Sequence, residues 1–419
     1  MLKNLAKHRL VKDTIILFGV QVSGYVLPLV TLPYLTRVLG PANFGLIALG
    51  GALVLYFVVI TEFGFAVTGT RQIAMAQDDS AKIARIYSTV MLCKLCLMLF
   101  CFVILLGLLA TIPRFRMYWP LYMVSFLQVT GSCFSPNWFL QGMQRMRYIA
   151  YSDYGAKIVS VLCIFGFVHK AGDYLLVAAF QAGGFLISAL IGLWLVFFKL
   201  RIPLVKPHLQ DMREAMLGGW PVFLSTASMI AVSSTNTMIL GFVSSPTEVG
   251  YLNAAQRLMI AMRALTNPVT SAVYPHMSRM AANSRPEALR FLKKQVLWTA
   301  TPFLAISGGL LFFAPFAVHL LYGTKYAETG VLLQLMSLTP VVHALSMCFG
   351  TYFMLAFGYE KQWSKIITRM MVLNFVCIGL LMLVLSPVRA IALTSTLMDI
   401  FSCTSCYLFY RKTIRSFTE

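Results

Sequence analysis

Eight charged residues stand inside stretches of sequence that are otherwise apolar. Five are basic (Lys94, Lys157, Arg257, Arg263 and Arg369) and three are acidic (Glu62, Asp153 and Asp399). A charge at the centre of a bilayer costs at least about 2.5–3.5 kcal/mol, so each is expected to face protein, water or the headgroups. Lys94 lies about two turns in from its end of the stretch, beyond the easy reach of a snorkelling side chain, and is expected to face a lumen. Arg369 is shallower, and snorkelling is an alternative for it. Lys157 follows Asp153 by one helical turn, so these two can instead neutralise each other. Glu62 is near the end of its stretch and fits an interfacial role. Asp399, central in Thr394-Ser395-Thr396-Leu397-Met398-Asp399, reads as functional or as the partner of a basic residue.

The densest polar signal runs from Asn253 to Ser271. At 100° per residue, Asn253, Gln256, Arg257, Arg263, Asn267, Thr270 and Ser271 fall within an arc of roughly 140°. The stripe is about 27 Å long, most of the thickness of a bilayer. It holds two Arg and no acid. A polar seam between two helices is one reading. The wall of a water-filled cavity that attracts anions is the stronger one, because no carboxylate on the stripe balances its charge.

These residues need elements that cross a membrane. The chain has 419 residues, of which 59% are apolar and only 11% charged. Its mean hydropathy is +0.78. A spanning helix takes roughly 20 apolar residues. Such stretches predict twelve spans, at 14–36, 43–66, 83–112, 117–140, 149–168, 174–198, 216–242, 248–275, 293–321, 329–357, 364–385 and 388–410. Backbone groups in hydrocarbon must bond internally, so runs of this length are helices and the fold class is all-α. The net charge of +20 would suit a nucleic-acid binder in a soluble protein, but this composition excludes that partner and points to the lipid bilayer. With the N-terminus in the cytoplasm, 23 Lys and Arg fall in cytoplasmic connections, beginning with Lys3, Lys7, Arg9 and Lys12. Six fall opposite (Arg37, Arg114, Arg116, Lys170, Lys325 and Arg389). That asymmetry predicts both termini on the cytoplasmic side.

A duplication is expected from matches near half-length. Pro41-Ala42-Asn43-Phe44-Gly45 opens the second span and Pro246-Thr247-Glu248-Val249-Gly250 the eighth; Gly142 with Arg145 resembles Gly358 with Lys361. Two six-helix lobes follow, 1–200 and 215–419, joined by a polar cytoplasmic linker at 201–214. Enzyme chemistry finds little support. No phosphate-cradling glycine loop, metal-ligand spacing or nucleophile elbow occurs, and no cofactor is implied. The nine Cys all lie in apolar runs and read as small packing residues. The extracytoplasmic connections are only a few residues long, which leaves little room for an acceptor site.

The stretch VLPLVTLPYLTRVLGPANFG, from Val26 to Gly45, resembles the first helix and loop of the Wzx-type O-antigen flippases. These form part of the polysaccharide-transport branch of the multidrug/oligosaccharidyl-lipid/polysaccharide exporter superfamily. Further likeness lies in Glu62-Phe63-Gly64-Phe65, Trp138-Phe139-Leu140-Gln141-Gly142 and the run from Ile239 to Arg279, with Gly250-Tyr251-Leu252-Asn253-Ala254-Ala255 and Asn267-Pro268-Val269 inside it. The resemblance implies a two-lobed fold with a cationic central cavity, in a Gram-negative inner membrane. It implies movement of an undecaprenyl-pyrophosphate-linked oligosaccharide to the periplasmic leaflet, with a polysaccharide polymerase and a chain-length regulator as partners. Arg257, Arg263, Lys94, Lys157, Arg369, Asn253, Gln256 and Asn267 then become candidates for holding substrate. Related exporters suggest ion antiport, for which Asp399, Asp153 or Glu62 would carry the proton or cation. Two other readings are a cation–drug antiporter of the same superfamily, which calls for a cavity rich in carboxylates, and a membrane enzyme of polysaccharide assembly.

Overall fold

The computed structural model describes the side chains of residues 30–76, 79–228, 230 and 234–415, and the helical backbone alone at 2–29, 229, 231–233 and 416–418. The basic cluster Lys3, Lys7, Arg9 and Lys12 lies outside the described side chains. The fold is all-helical. In chain order the α-helices are α1 (Leu2–Glu62), α2 (Phe65–Met75), α3 (Ser80–Thr111), α4 (Pro113–Met117), α5 (Trp119–Phe134), α6 (Asn137–Gly142), α7 (Met146–Phe167) and α8 (Tyr174–Trp194). They continue with α9 (Leu209–Val243), α10 (Pro246–Ala264), α11 (Thr266–Asn283), α12 (Arg285–Tyr322), α13 (Ala327–Leu335), α14 (Thr339–Met347), α15 (Glu360–Leu381) and α16 (Pro387–Thr418).

Among the described residues, seven helices are long and apolar enough to cross a membrane, and one bent pair, 324–335 with 339–355, makes an eighth. The expected first and second spans are parts of α1, broken at Gly40, whose φ of 71° leaves the helical region. The spans expected at 117–140 and 248–275 are interrupted helices. One breaks where Ser135 and Pro136 separate α5 from α6, the other where α10 gives way to α11. The chain forms two compact units, Met1–Met238 and Ile239–Glu419.

In the first unit, Tyr87 of α3 stacks on Trp138 of α6 (6.0 Å, 19° between planes) and meets the Phe139 edge at 5.0 Å. Phe63, between α1 and α2, stacks on Phe223 of α9 at 4.6 Å. Aromatic pairs of this kind add about 0.5–1.5 kcal/mol beyond their buried area. The segment before α9 and the first turn of α9 are strapped to α3. The Val205 N–H donates to Ser88 Oγ at 2.9 Å, and Arg85 grips Asp211 through two 2.9 Å bonds. Those bonds hold the Asp211 carboxyl below the usual carboxylate range.

The second unit repeats one turn of the first. After α6, Met143, Gln144 and Arg145 donate to the carbonyls of Phe139, Gln141 and Leu140 at 2.9, 3.0 and 2.8 Å. Before α15, Phe357, Gly358 and Tyr359 donate to Phe353, Leu355 and Met354 at 3.0, 3.2 and 2.8 Å. Every equivalent pair lies 214 residues apart. Each is a Schellman-type closure, with a left-handed residue at Gln144 (φ 57°) and at Gly358 (φ 82°). The expected pairing of Gly142 with Gly358 is therefore out of register by two positions: Gln144 is the structural counterpart of Gly358. The glycine was misleading because Gly142 serves a different purpose. A Cβ there would meet Ile73 at 2.7 Å. Buried Trp138-Phe139-Leu140 matches buried Tyr352-Phe353-Met354.

The left-handed conformation costs a side chain about 1–2 kcal/mol. Gly358→Ala should therefore lower the thermal stability of the detergent-solubilised protein by about that amount. Gln144→Gly should change it by under about 1 kcal/mol, because relief of strain offsets the greater freedom of glycine in the unfolded chain.

Candidate functional site

Helix α10 begins with Ser245 as its N-cap and Pro246 at its first turn, where the absent N–H costs nothing. It ends at Ala264 because Pro268 has no N–H to return to the Ala264 carbonyl, four residues back. The Thr266 hydroxyl donates instead to the Arg263 carbonyl at 2.6 Å, and α11 starts at Thr266. The polar stripe of the sequence is thus divided between two helices. Beyond the break Thr270 turns into protein, its hydroxyl 3.0 Å from Tyr352 Oη and donating to the Thr266 carbonyl, while Ser271 is exposed. The expectation of one unbroken helix over 248–275 is corrected to this extent, and the proline is the cause.

The upper part keeps its polar character. Arg257 is exposed, Asn253 and Gln256 are half-buried, and Asn267, beyond the break, is exposed. Among the described residues no carboxylate stands within ion-pairing distance of Arg257; its electrostatic neighbour is Tyr322 of α12. Arg263 has a partner on another helix. Its Nη2 lies 2.5 Å from Asp399 Oδ2 of α16. The side chains are 35% and 16% exposed, so the pair is open on one side. Arg263 Nε is buried without a hydrogen-bond partner. Thr339 at the start of α14 stands close to Asp399 and lies 3.4 Å from Thr396, whose hydroxyl donates to the Leu335 carbonyl. His343 of α14 lies beside Arg263. Arg263, Asp399, Thr339, Thr396 and His343 thus form one polar node across α10, α14 and α16.

The first unit has its own node. Lys94 of α3 is fully buried and donates from Nζ to Glu62 Oε1 of α1 at 2.9 Å and to the Ser132 carbonyl of α5 at 3.2 Å. The Ser132 hydroxyl bonds the same Glu62 oxygen at 3.2 Å. The expectation that Lys94 faces a lumen is corrected: its ammonium has no open face, because an acid on a neighbouring helix compensates it. Asp153 of α7 accepts from Asn137 Nδ2 at 2.8 Å and from the Ser188 hydroxyl of α8. Lys157 does not pair with it; the exposed ammonium sits 5.2 Å over the Tyr154 ring. Arg369 of α15 is exposed. Ser132, Asn137, Ser188, Thr339 and His343 gave no sequence signal, since each meets its charge across helices and not at a fixed spacing. Among the described residues no group of His, Cys, Asp and Glu converges to hold a metal ion.

Long apolar helices in two units, each with a charged node between helices, define a multi-pass membrane protein. The backbone is similar to an inward-facing multidrug-resistance MATE family transporter of the MOP superfamily, with a TM-score of 0.71 at 16% identity over 93% of this chain and 95% of that one. It is also similar to the lipid II flippase MurJ in an inward closed conformation, with a TM-score of 0.68 at 14% identity over 96% and 87%. Two sequences carry the name "Putative O-antigen transporter". One, from Escherichia coli K12, is 31% identical over 87% of this chain and 88% of its own length. The other, from Shigella dysenteriae, is 28% identical over 85% and 88%. Residues 10–281 match the family described as polysaccharide biosynthesis protein, and the chain belongs to that family.

Removing one partner of a buried ion pair leaves the other charge uncompensated, at a cost of about 3–5 kcal/mol. Lys94→Ala should therefore sharply lower the thermal stability of the solubilised protein. The double change Lys94→Met with Glu62→Gln should recover most of that loss, and a double-mutant cycle of melting temperatures reads the difference.

Proposed function

We propose that the protein moves an undecaprenyl-pyrophosphate-linked oligosaccharide repeat unit from the cytoplasmic to the periplasmic leaflet of a bacterial inner membrane. It works by alternating access of two lobes, 1–200 and 215–419, joined by a cytoplasmic linker at 201–214, with both termini in the cytoplasm. Arg257 is the observation that carries this reading. An exposed guanidinium on a membrane helix without a carboxylate partner is costly, and its retention suits an anionic cargo. Arg offers a phosphate oxygen pair two parallel N–H bonds and keeps its charge at any physiological pH. Asn253, Gln256 and Asn267 are the neighbouring donors and acceptors for sugar hydroxyls, and Arg263 is a second cation on the same helix. Lys157 and Arg369 serve the approach of the anion to the site.

The names of the two enteric relatives support an O-antigen cargo, and the lipid-flippase neighbour supports a lipid-linked one. A drug–cation antiporter is disfavoured because Glu62 and Asp399 are engaged by Lys94 and Arg263, and Asp153 by Asn137 and Ser188. The exposed charges that remain inside the spans are basic. The lipid tail stays in the bilayer while the headgroup crosses. With the cell interior negative, export of each net negative charge gains about 2.3 kcal/mol per 100 mV. The polymerase and chain-length regulator of the same surface polysaccharide are the partners expected at the periplasmic face.

In cells that depend on this protein, Arg257→Ala should trap lipid-linked repeat units on the cytoplasmic leaflet and cut surface polysaccharide at least tenfold at normal expression. Undiminished surface polysaccharide would remove Arg257 from the substrate path.

A further inference from the structure

The Arg263–Asp399 pair is built from one donor and one acceptor atom, Nη2 to Oδ2 at 2.5 Å. A guanidinium carries five N–H donors, and Nε of this one is buried with no partner. Arg263 is thus a half-used cation, over a third exposed, whose one carboxylate cannot satisfy it. Resting on the proposed function, we propose that Asp399 and the phosphate of the substrate are rival acceptors for the Arg263 guanidinium, so that each bound anion places one proton on Asp399.

The Asp399 carboxylate sits between membrane helices with the Arg263 guanidinium beside it, one N–H on Oδ2. A phosphate that engages the free edge of Arg263 draws on the same charge and brings negative charge of its own toward the carboxylate. Both effects favour the neutral acid, and binding energy is reciprocal: whatever protonates Asp399 also tightens the anion. The groups around the carboxylate allow this. Among the described residues, Arg263 of α10 and Thr339 of α14 act on it directly. His343 of α14 lies on the Arg263 side, and Cys403 is one turn further along α16. Cys348, in the irregular helix that follows α14, interacts with Cys403. Glu328 of α13 is occupied by Arg389 at the start of α16, through bonds of 2.7 and 3.2 Å. Among the described residues no second carboxylate acts on Asp399. Each anion held at the site is thus accompanied by one proton on Asp399, which lowers the net negative charge gathered there by one.

Isothermal titration of the full-length protein in detergent with a short-chain polyprenyl pyrophosphate, run in two buffers of different ionisation enthalpy, counts the protons exchanged. The ligand's own protonation is common to wild type and Asp399→Asn, so the difference between them is the readout. Wild type should take up close to one proton more than Asp399→Asn, and its affinity should rise by up to about tenfold more per unit fall in pH. Asp399→Glu keeps a carboxylate and should retain the uptake, which guards against a fold defect in the Asn variant. Equal proton counts in wild type and Asp399→Asn, with both binding, would overturn the inference and leave the proposed function standing. No binding by wild type at any pH would count against the pyrophosphate cargo itself, and the inference would fall with it.

Discussion

A charge in hydrocarbon must be compensated by its neighbours, and helix α10 carries two that differ in how this is done. Arg263 leans on Asp399 across the gap between α10 and α16, while Arg257, less than two turns earlier, has no carboxylate. In the first unit the compensation is complete: Lys94 is sealed against Glu62 and the Ser132 carbonyl. The contrast ranks the intramembrane charges. A closed pair with a hydrogen-bonding escort is a structural joint, worth little when intact and costly when halved. A half-satisfied guanidinium with an open side is suited to binding.

The fold serves that ranking by deciding which carbonyls and carboxylates each cation can reach. Pro268 stops α10 at Ala264, and beyond the break Thr270 turns toward Tyr352. The start of α14 brings Thr339 against Asp399, and α16 brings Thr396 beside it. The repeated Schellman turn, at 139–145 and 353–359, shows the two halves reusing one local device with different residues at its left-handed position. The MATE and MurJ neighbours, named for drug resistance and lipid II, share this backbone at 16% and 14% identity, so the fold alone does not fix a cargo.

The class of fold was legible because hydrocarbon imposes length and composition on every spanning helix, and the charged residues stood out against that background. The pairing of those charges was not legible. Lys94 and Glu62 are 32 residues apart, Arg263 and Asp399 136. Periodicity on one helix says nothing about which face of another it meets. Two local inferences failed for local reasons. The stripe from Asn253 to Ser271 assumed an unbroken helix and passed through a proline. The match of Gly142 with Gly358 trusted residue type, where the conformation it was meant to mark is held by Gln144.

The central claim is that a cationic path lets an anionic lipid headgroup cross the bilayer. Its most direct measurement is leaflet-resolved transfer of lipid-linked oligosaccharide in proteoliposomes holding the purified protein, with the membrane potential set by a potassium gradient. An interior-negative potential should speed transfer from the inner to the outer leaflet, and reversing its sign should slow it. Transfer no faster than in protein-free vesicles, or indifferent to the sign of the potential, would contradict the account.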